Sequence, residues 1–402
     1  MKEINNQAED LTVWLNTSAI VDLGPIIAGV QVFGPETRQA FQRDLLAWYD
    51  QEKRDLPWRE NQDPYRVWVS EIMLQQTQVD TVINYFNNFM KVFPTIADLA
   101  QATEADLLKV WQGLGYYSRV RNMQAAARDI MANHEGVFPT EIKAIKALKG
   151  IGPYTAGAIA SIAFNQAVPA IDGNAMRVLA RLFAIDADIA VAKNRKIFEE
   201  IGSYLIDYNR PGDFNQAIMD LGSSYCSYKN PQPELSPIRA YNLSTLNGTT
   251  LAYPVKSKQK KARDVYYQAL LIENQQGQIL MIKRSDGQLL KNMWSVPLLE
   301  SRRDQVTDYQ YVVAETSANY QVSPIVMKEP LAEIKHIFTH LKWHIRPFYM
   351  RLRPEEEALL AKQLDKAYGN SWCWLAASDM DQLPVARVQE KIWQVYRDFK
   401  KQ

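Results

Sequence analysis

Two carboxyl residues stand out because their surroundings push them toward opposite protonation states. Glu71 lies in the run Val67-Trp68-Val69-Ser70-Glu71-Ile72-Met73-Leu74. Among so many apolar neighbours, desolvation raises a carboxyl pKa and suits the group to general acid work. Asp172 lies in an Ile-Asp-Gly-Asn turn just before a helical stretch. The positive end of a helix favours its ionised form, which suits electrostatic or nucleophilic support of a cationic centre. An acid and an anion held in different environments are what cleavage at an acetal-like carbon requires. Between them runs Leu148-Lys149-Gly150-Ile151-Gly152-Pro153-Tyr154-Thr155-Ala156. Gly150 and Gly152 permit a tight turn with uncovered backbone N–H groups, and Pro153 fits the first position of the next helix. A helix end of that kind suits a phosphate. Each feature also has a plainer reading: Glu71 on a helix surface, Asp172 as an N-cap, the glycine pair as a corner between helices.

The scaffold for these residues is read from hydrophobic spacing. From Thr37 to about Leu243 the pattern is helical. Val79, Val82, Ile83, Phe86, Phe89, Met90 and Phe93 mark one apolar helix face. Thr103 with Asp106 reads as a capping box before Leu107, Leu108 and Trp111. Further helices are expected at 119–133, 140–148, 153–165, 174–184, 194–207 and 214–224. An all-α domain over 36–243 follows, with the glycine turn and its flanking helices at about 140–166. Residues 226–242 lose the period and hold Pro231, Pro233 and Pro237, so a loop is expected there. Residues 244–263 end in five cations between Lys256 and Arg263 and read as a basic linker. Beyond it, Val265–Ile272 and Ile279–Ile282 flank a Gln-Gln-Gly turn, Ile345–Leu352 is another strand, and 386–401 a closing helix. This is an α+β domain over 264–402. Residues 1–35 read as a flexible extension without an assigned role.

Composition bounds the rest. A chain of 402 residues, 47% hydrophobic and 23% charged, suits two ordinary globular domains. The net charge of +1 hides an asymmetry, −5 over residues 1–250 and +6 beyond. A basic footprint is therefore local, as in Lys109 to Lys149. Cys226 and Cys373 are the only cysteines, which excludes a disulfide framework and fits a reducing compartment. The apolar stretch Ala19 to Phe33 is interrupted by Asp22, Pro25 and two glycines, so it does not read as a membrane span. A cytoplasmic monomer is expected.

The nine-residue hairpin string resembles the helix–hairpin–helix of the endonuclease III superfamily of DNA glycosylases. Asp55-Leu56-Pro57-Trp58-Arg59, Val67 through Val79, Gly113-Leu114-Gly115-Tyr116-Tyr117-Ser118-Arg119, Asp172-Gly173-Asn174 and Phe214-Asn215-Gln216-Ala217 look like its adenine-specific branch. The resemblance runs from roughly Thr37 to the C-terminus. It implies excision of adenine lying opposite 8-oxoguanine or guanine in duplex DNA, by base flipping. It makes Glu71 the acid at adenine N7 and then the activator of water. Asp172 is assigned to the oxocarbenium or its covalent adduct, with Tyr154 and Asn174 orienting that site. Gln76 becomes a wedge in the vacated stack and joins Thr77 and Leu114 in reading the opposite base. Lys149, Gly150 and Gly152 meet the backbone phosphate, a monovalent cation fits at the hairpin, and Tyr116 offers an aromatic face or is core. Lyase-type relatives carry a Schiff-base lysine where this chain has Tyr154, so base removal by water without efficient strand cleavage is expected.

Two departures matter. Relatives bind a [4Fe–4S] cluster through C-x6-C-x2-C-x5-C, but here the four positions are Cys226, Pro233, Ser236 and Asn242. No iron–sulfur cofactor is expected, and the prolines with Ser236 and Asn242 hydrogen bonds are expected to stiffen the loop. Residues 264–402 resemble a Nudix-like domain without the acidic R-E-x-x-E-E box, so binding without hydrolysis is implied. Phe338-Thr339-His340 matches the family's lesion-inspecting Phe-Ser-His loop, and Thr339 and His340 are assigned to DNA. His336, His340 and His344 are spaced by four, yet a strand context argues against a metal. The rival readings are a bifunctional glycosylase/lyase for oxidised pyrimidines, a Nudix pyrophosphatase and a non-enzymatic DNA binder.

Overall fold

The computed structural model describes residues 19–258 and 261–401. They form two compact units, one of 19–101 and 121–258, the other of 102–120 and 261–401.

The first unit opens on an antiparallel hairpin, β1 (Leu23–Ile27) and β2 (Val30–Phe33). This corrects the expectation of a flexible extension as far as residues 19–35 are concerned. The apolar stretch is a strand pair whose Val32 and Phe33 are fully buried, with Phe33 4.8 Å from Phe183. Asp22 then caps α1 (Pro35–Glu52), its carboxylate accepting from the Glu36 and Thr37 N–H groups at 3.1 and 2.8 Å. The portion 1–18 lies outside the described residues.

The helices that follow are α2 (Pro64–Leu74), α3 (Val79–Val92), α4 (Ile96–Gln101), α5 (Glu104–Val110), α6 (Ser118–Asn133), α7 (Ile142–Ala147), α8 (Pro153–Phe164), α9 (Gly173–Leu182), α10 (Arg195–Leu205), α11 (Pro211–Ser223) and α12 (Leu243–Leu246). Val82, Phe86 and Phe89 are the buried face of α3, and Thr103 caps α5 by accepting from the Asp106 N–H at 3.2 Å. No described helix is long and apolar enough to cross a membrane.

Both expected domain edges shift. Residues 244–258 belong to the first unit, where the Ile189 N–H donates to the Val255 carbonyl at 3.0 Å. Residues 102–120 belong instead to the second unit. There the Asn292 amide donates to both Glu104 oxygens at 2.9 and 2.8 Å, and the Gln112 amide donates to Glu390 at 2.9 Å. Helical periodicity marks an apolar face but not which core receives it.

The second unit is built on a mixed sheet. Its centre is β3 (Arg263–Glu273), flanked by β4 (Ile279–Lys283), with the short strands β5 (Trp294–Ser295), β6 (Leu298–Ser301), β7 (Ile325–Val326) and β8 (Ile334–Ile337) at its margins, and with β9 (Leu341–Arg351) and β10 (Trp372–Leu375). The order is β10-β4-β3-β9-β7, with β9 parallel to β3 from Arg263 opposite Leu341 to Glu273 opposite Arg351. The helices α13 (Tyr309–Tyr320), α14 (Glu357–Tyr368) and α15 (Arg387–Lys400) complete the unit. Buried Glu273 ties α15 to β3, accepting from the Tyr396 hydroxyl at 2.6 Å and Lys400 Nζ at 2.8 Å.

Candidate active site

The last turns of α2 bury Glu71, which is 5% exposed. The first turn of α8, just past the glycine hairpin, delivers Tyr154. Its hydroxyl donates to Glu71 Oε2 at 2.5 Å and lies 3.7 Å from Met219 Sδ. Desolvation pushes the Glu71 carboxyl up to about 7; the Tyr154 bond opposes that rise, Asp172 adds to it and Arg59 opposes it again. Burial also holds the Tyr154 hydroxyl well above its ordinary value. The apolar run around Glu71 thus has the effect expected of it.

Asp172 caps α9. Its Oδ1 accepts from the Ala175 N–H and its Oδ2 from the Asn174 amide, each at 2.7 Å. Desolvation nevertheless raises the carboxyl above its ordinary value, and the Ala175 N–H, Asn174 and Arg177 only partly offset this. The helix terminus favours the ionised form, and burial acts against it with the larger effect. Asn215, buried on α11, fixes the segment leading to Asp172. Its amide donates to Ser161 Oγ at 2.8 Å and the Val168 carbonyl at 2.9 Å, and its Oδ1 accepts from the Ala170 N–H at 3.0 Å.

Glu71, Tyr154, Asp172 and Asn174 line one cavity of about 860 Å³, together with Gln76, Thr77, Gly150 and Gly152. Gly150 has φ +85°, and a Cβ there would sit 2.7 Å from Asn122 Cβ, so both backbone and space demand glycine. Lys149 beside it is exposed. Gln76 and Thr77 do not continue the Glu71 helix. α2 ends at Leu74, and Gln76, with φ +61°, turns the chain outward and is exposed. A non-glycine residue held in that region carries strain of the sort found at functional sites.

The charged wall of this cavity has no signature along the sequence. Asp220, 5% exposed, accepts from both Arg59 nitrogens at 2.8 and 3.1 Å and from Arg54. The string containing Arg59 was visible, but pairing across more than a hundred residues was not.

In the second unit, the Tyr116 hydroxyl and Thr339 Oγ1 are 2.6 Å apart, Tyr116 having φ +48° and an exposed ring. The Arg119 guanidinium lies 5.3 Å from the Trp111 ring centre and 5.4 Å from that of Tyr116. His340 is exposed, whereas Leu114 is buried and offers little surface to a ligand. Among the described residues no His, Cys, Asp and Glu grouping could hold a metal ion. His336 instead meets Phe338 edge-on at 4.6 Å, and His344 bonds Asp264 at 2.7 Å and Glu333 at 3.2 Å.

Residues 69–203 match the model of the HhH-GPD superfamily of base excision DNA repair proteins, and residues 268–395 that of the NUDIX domain. Adenine DNA glycosylase of Rattus norvegicus is 32% identical over 413 residues, covering 90% of this chain and 79% of that protein. The chain belongs to the adenine DNA glycosylase family. The Homo sapiens member is 31% identical over 89% of this chain and 74% of its own length. The Arabidopsis thaliana member is 38% identical over 80% of this chain, which spans 58% of that longer protein. Membership places the chain among the base-excision glycosylases, with DNA as partner.

The loop where family members were expected to carry four cysteines is held here by an arginine. Cys226 is buried, and desolvation raises its thiol while neighbouring Arg181 opposes that rise. Asn242 Oδ1 caps α12, accepting from the Thr245 N–H at 3.3 Å and also from Ser244 Oγ at 2.9 Å, and Pro233 opens a short 3₁₀ turn. Ser236 Oγ is buried without a partner among the described residues, contrary to the expectation that its hydrogen bonds stiffen the loop. Arg181, fully buried on α9, does so instead. It donates to the carbonyls of Ser227 at 3.1 Å, Tyr253 at 3.0 Å and Thr250 at 3.3 Å. Arg181→Met should therefore lower unfolding free energy by about 3 kcal/mol, since several buried carbonyls lose a charged donor. Urea denaturation checks this; an unchanged midpoint would mean that the loop is held by other contacts.

Proposed function

We propose that the chain hydrolyses the N-glycosidic bond of adenine lying opposite 8-oxoguanine or guanine in duplex DNA, leaving an abasic site. One observation carries the reading: a buried carboxyl poised near neutrality and a helix-capping carboxylate line the same cavity, which the glycine hairpin borders. Extruding the base costs a few kcal/mol, less at a mispair. Protonated Glu71 donates to adenine N7. The C1′–N9 bond then breaks with its electron pair going to N9, and the sugar gains oxocarbenium character. That positive charge favours ionised Asp172, which Asn174 and the Ala175 N–H hold in place. Water adds its oxygen to C1′ and returns a proton to Glu71, restoring the acid. Both groups lie in one unit of one chain, which supports action as a monomer.

Tyr154 has no amine, and Lys149 on the hairpin is not among the residues lining the cavity, which supports hydrolysis by water over a Schiff base with the sugar. Loop 226–242 has a single thiol, raised by burial, and no donor set fit for an iron–sulfur cluster. Helix α13 carries a lone acid, Glu315, in place of a metal-binding box, so the second unit binds without hydrolysing. Its Tyr116–Thr339 pair and His340 are the groups of that unit assigned to DNA contact.

The test is excision of adenine placed opposite 8-oxoguanine, guanine and thymine, with and without alkali. Product is expected opposite the first two, with strand breaks appearing only after alkali. Strong borohydride trapping would contradict water as the nucleophile, and stoichiometric iron in anaerobically purified protein would contradict the clusterless loop. The pH profile should fall on both sides. Above about 7 Glu71 loses the proton it must donate, and at acid pH Asp172 loses its charge. Because the Tyr154 bond pulls the Glu71 carboxyl down, Tyr154→Phe should move the alkaline limb to higher pH. A limb that stays in place would assign it to another group.

A further inference from the structure

A second cavity, of about 490 Å³, adjoins the catalytic one within the same unit. Arg54, Arg59, Ile162 and Gln216 line both, so the two spaces meet at those side chains. Its volume falls within the range usual for small-ligand pockets, about 300–1,000 Å³.

The bonds already made around this cavity select the kind of ligand. Arg54 and Arg59 are paired with Asp220, and Arg210 donates to Asp50 and Asp213, each at 2.9 Å. Lys53 is the remaining cation of the lining, and Asp55 shares that lining with it. A free anion would find mostly engaged cations and would face carboxylates. By contrast, the side-chain amides of Gln62, Asn165, Asn209 and Gln216 have no hydrogen-bond partner among the described residues. Unused amides, each with a donor and an acceptor, suit a neutral heterocycle with both on its edge. Such amides pair two-pronged with the N6 and N7 edge of adenine.

We propose that this second cavity is a product subsite, holding the excised adenine base after it passes Arg54, Arg59 and Gln216 and before it leaves the protein. The inference rests on the glycosylase reading above. Its physical sense is that base and abasic strand then depart by different routes, so the freed base need not wait for the DNA to dissociate.

The test uses the full chain and free adenine as the probe. Gln62→Leu and Asn209→Leu change exposed residues of the second cavity that take no part in catalysis. Their single-turnover excision rates should stay within about twofold of the parent, showing an intact fold and catalytic site. The inhibition constant of added adenine in multiple turnover should rise about fivefold or more in each, the effect of one lost hydrogen bond. Absence of inhibition by adenine, or equal inhibition of parent and variants, overturns the proposal. So does inorganic phosphate proving to be the competitor that these substitutions weaken. Failure of the parent in single turnover would instead remove the glycosylase reading itself.

Discussion

Replacing Glu71 with glutamine should lower single-turnover adenine excision by about 10²–10⁴-fold, the usual contribution of a positioned acid. The amide fills the same volume and can still accept from the Tyr154 hydroxyl, so the cavity wall is preserved. It cannot deliver a proton to N7 or take one from water. Affinity for an adenine–8-oxoguanine duplex should stay within a few-fold of the parent, because the hairpin and the second unit are untouched. A variant that excises normally would end the assignment of Glu71; a parent that binds but never excises would favour the DNA-binder reading. The same substitution should also stabilise the fold. Burial raises the Glu71 pKa from 4.5 to about 7, so the folded chain holds a proton that the unfolded chain releases between those values. Stability is then fully present below 4.5 and is lost as pH rises through about 7. Glutamine has no such loss, and at pH 8 the variant should be more stable by on the order of 2–3 kcal/mol. Thermal unfolding at pH 5 and pH 8 checks the sign, since the gain should appear only at the higher pH.

Asp172→Asn should cut excision by about 10²–10³-fold, the typical cost of losing one preorganised electrostatic partner of a developing charge. Asparagine still caps a helix through the oxygen that accepts from the Ala175 N–H, so α9 is kept. The carboxylate's charge is what disappears. The acid limb of the pH profile should vanish with it, because that limb reports protonation of this raised carboxyl. An acid limb that persists in the variant would locate it elsewhere, and a nearly unchanged rate would mean the sugar cation is stabilised by other groups.

The two carboxyl groups, the glycine hairpin and the order of helical and mixed domains were legible along the chain because each depends on neighbours close in sequence. Desolvation of Glu71 follows from seven apolar or small flanking residues, and the positive φ of Gly150 from a turn that any side chain would strain. That Pro233, Ser236 and Asn242 stand at the positions counted from Cys226 is likewise read directly from the chain. Features resting on distant partners were not legible. Asp220 gathers Arg54 and Arg59 from another helix, Arg181 holds carbonyls at Ser227 and Tyr253, and Asp22 caps a helix that begins thirteen residues later. The upward shift of the Asp172 carboxyl belongs with these. A helix terminus can be read from Ile-Asp-Gly-Asn, but the burial that outweighs it comes from side chains brought in by other elements. Short-range backbone preference is written in adjacent residues; low dielectric, paired charge and the assignment of 102–120 to the second unit arise only when the chain closes on itself.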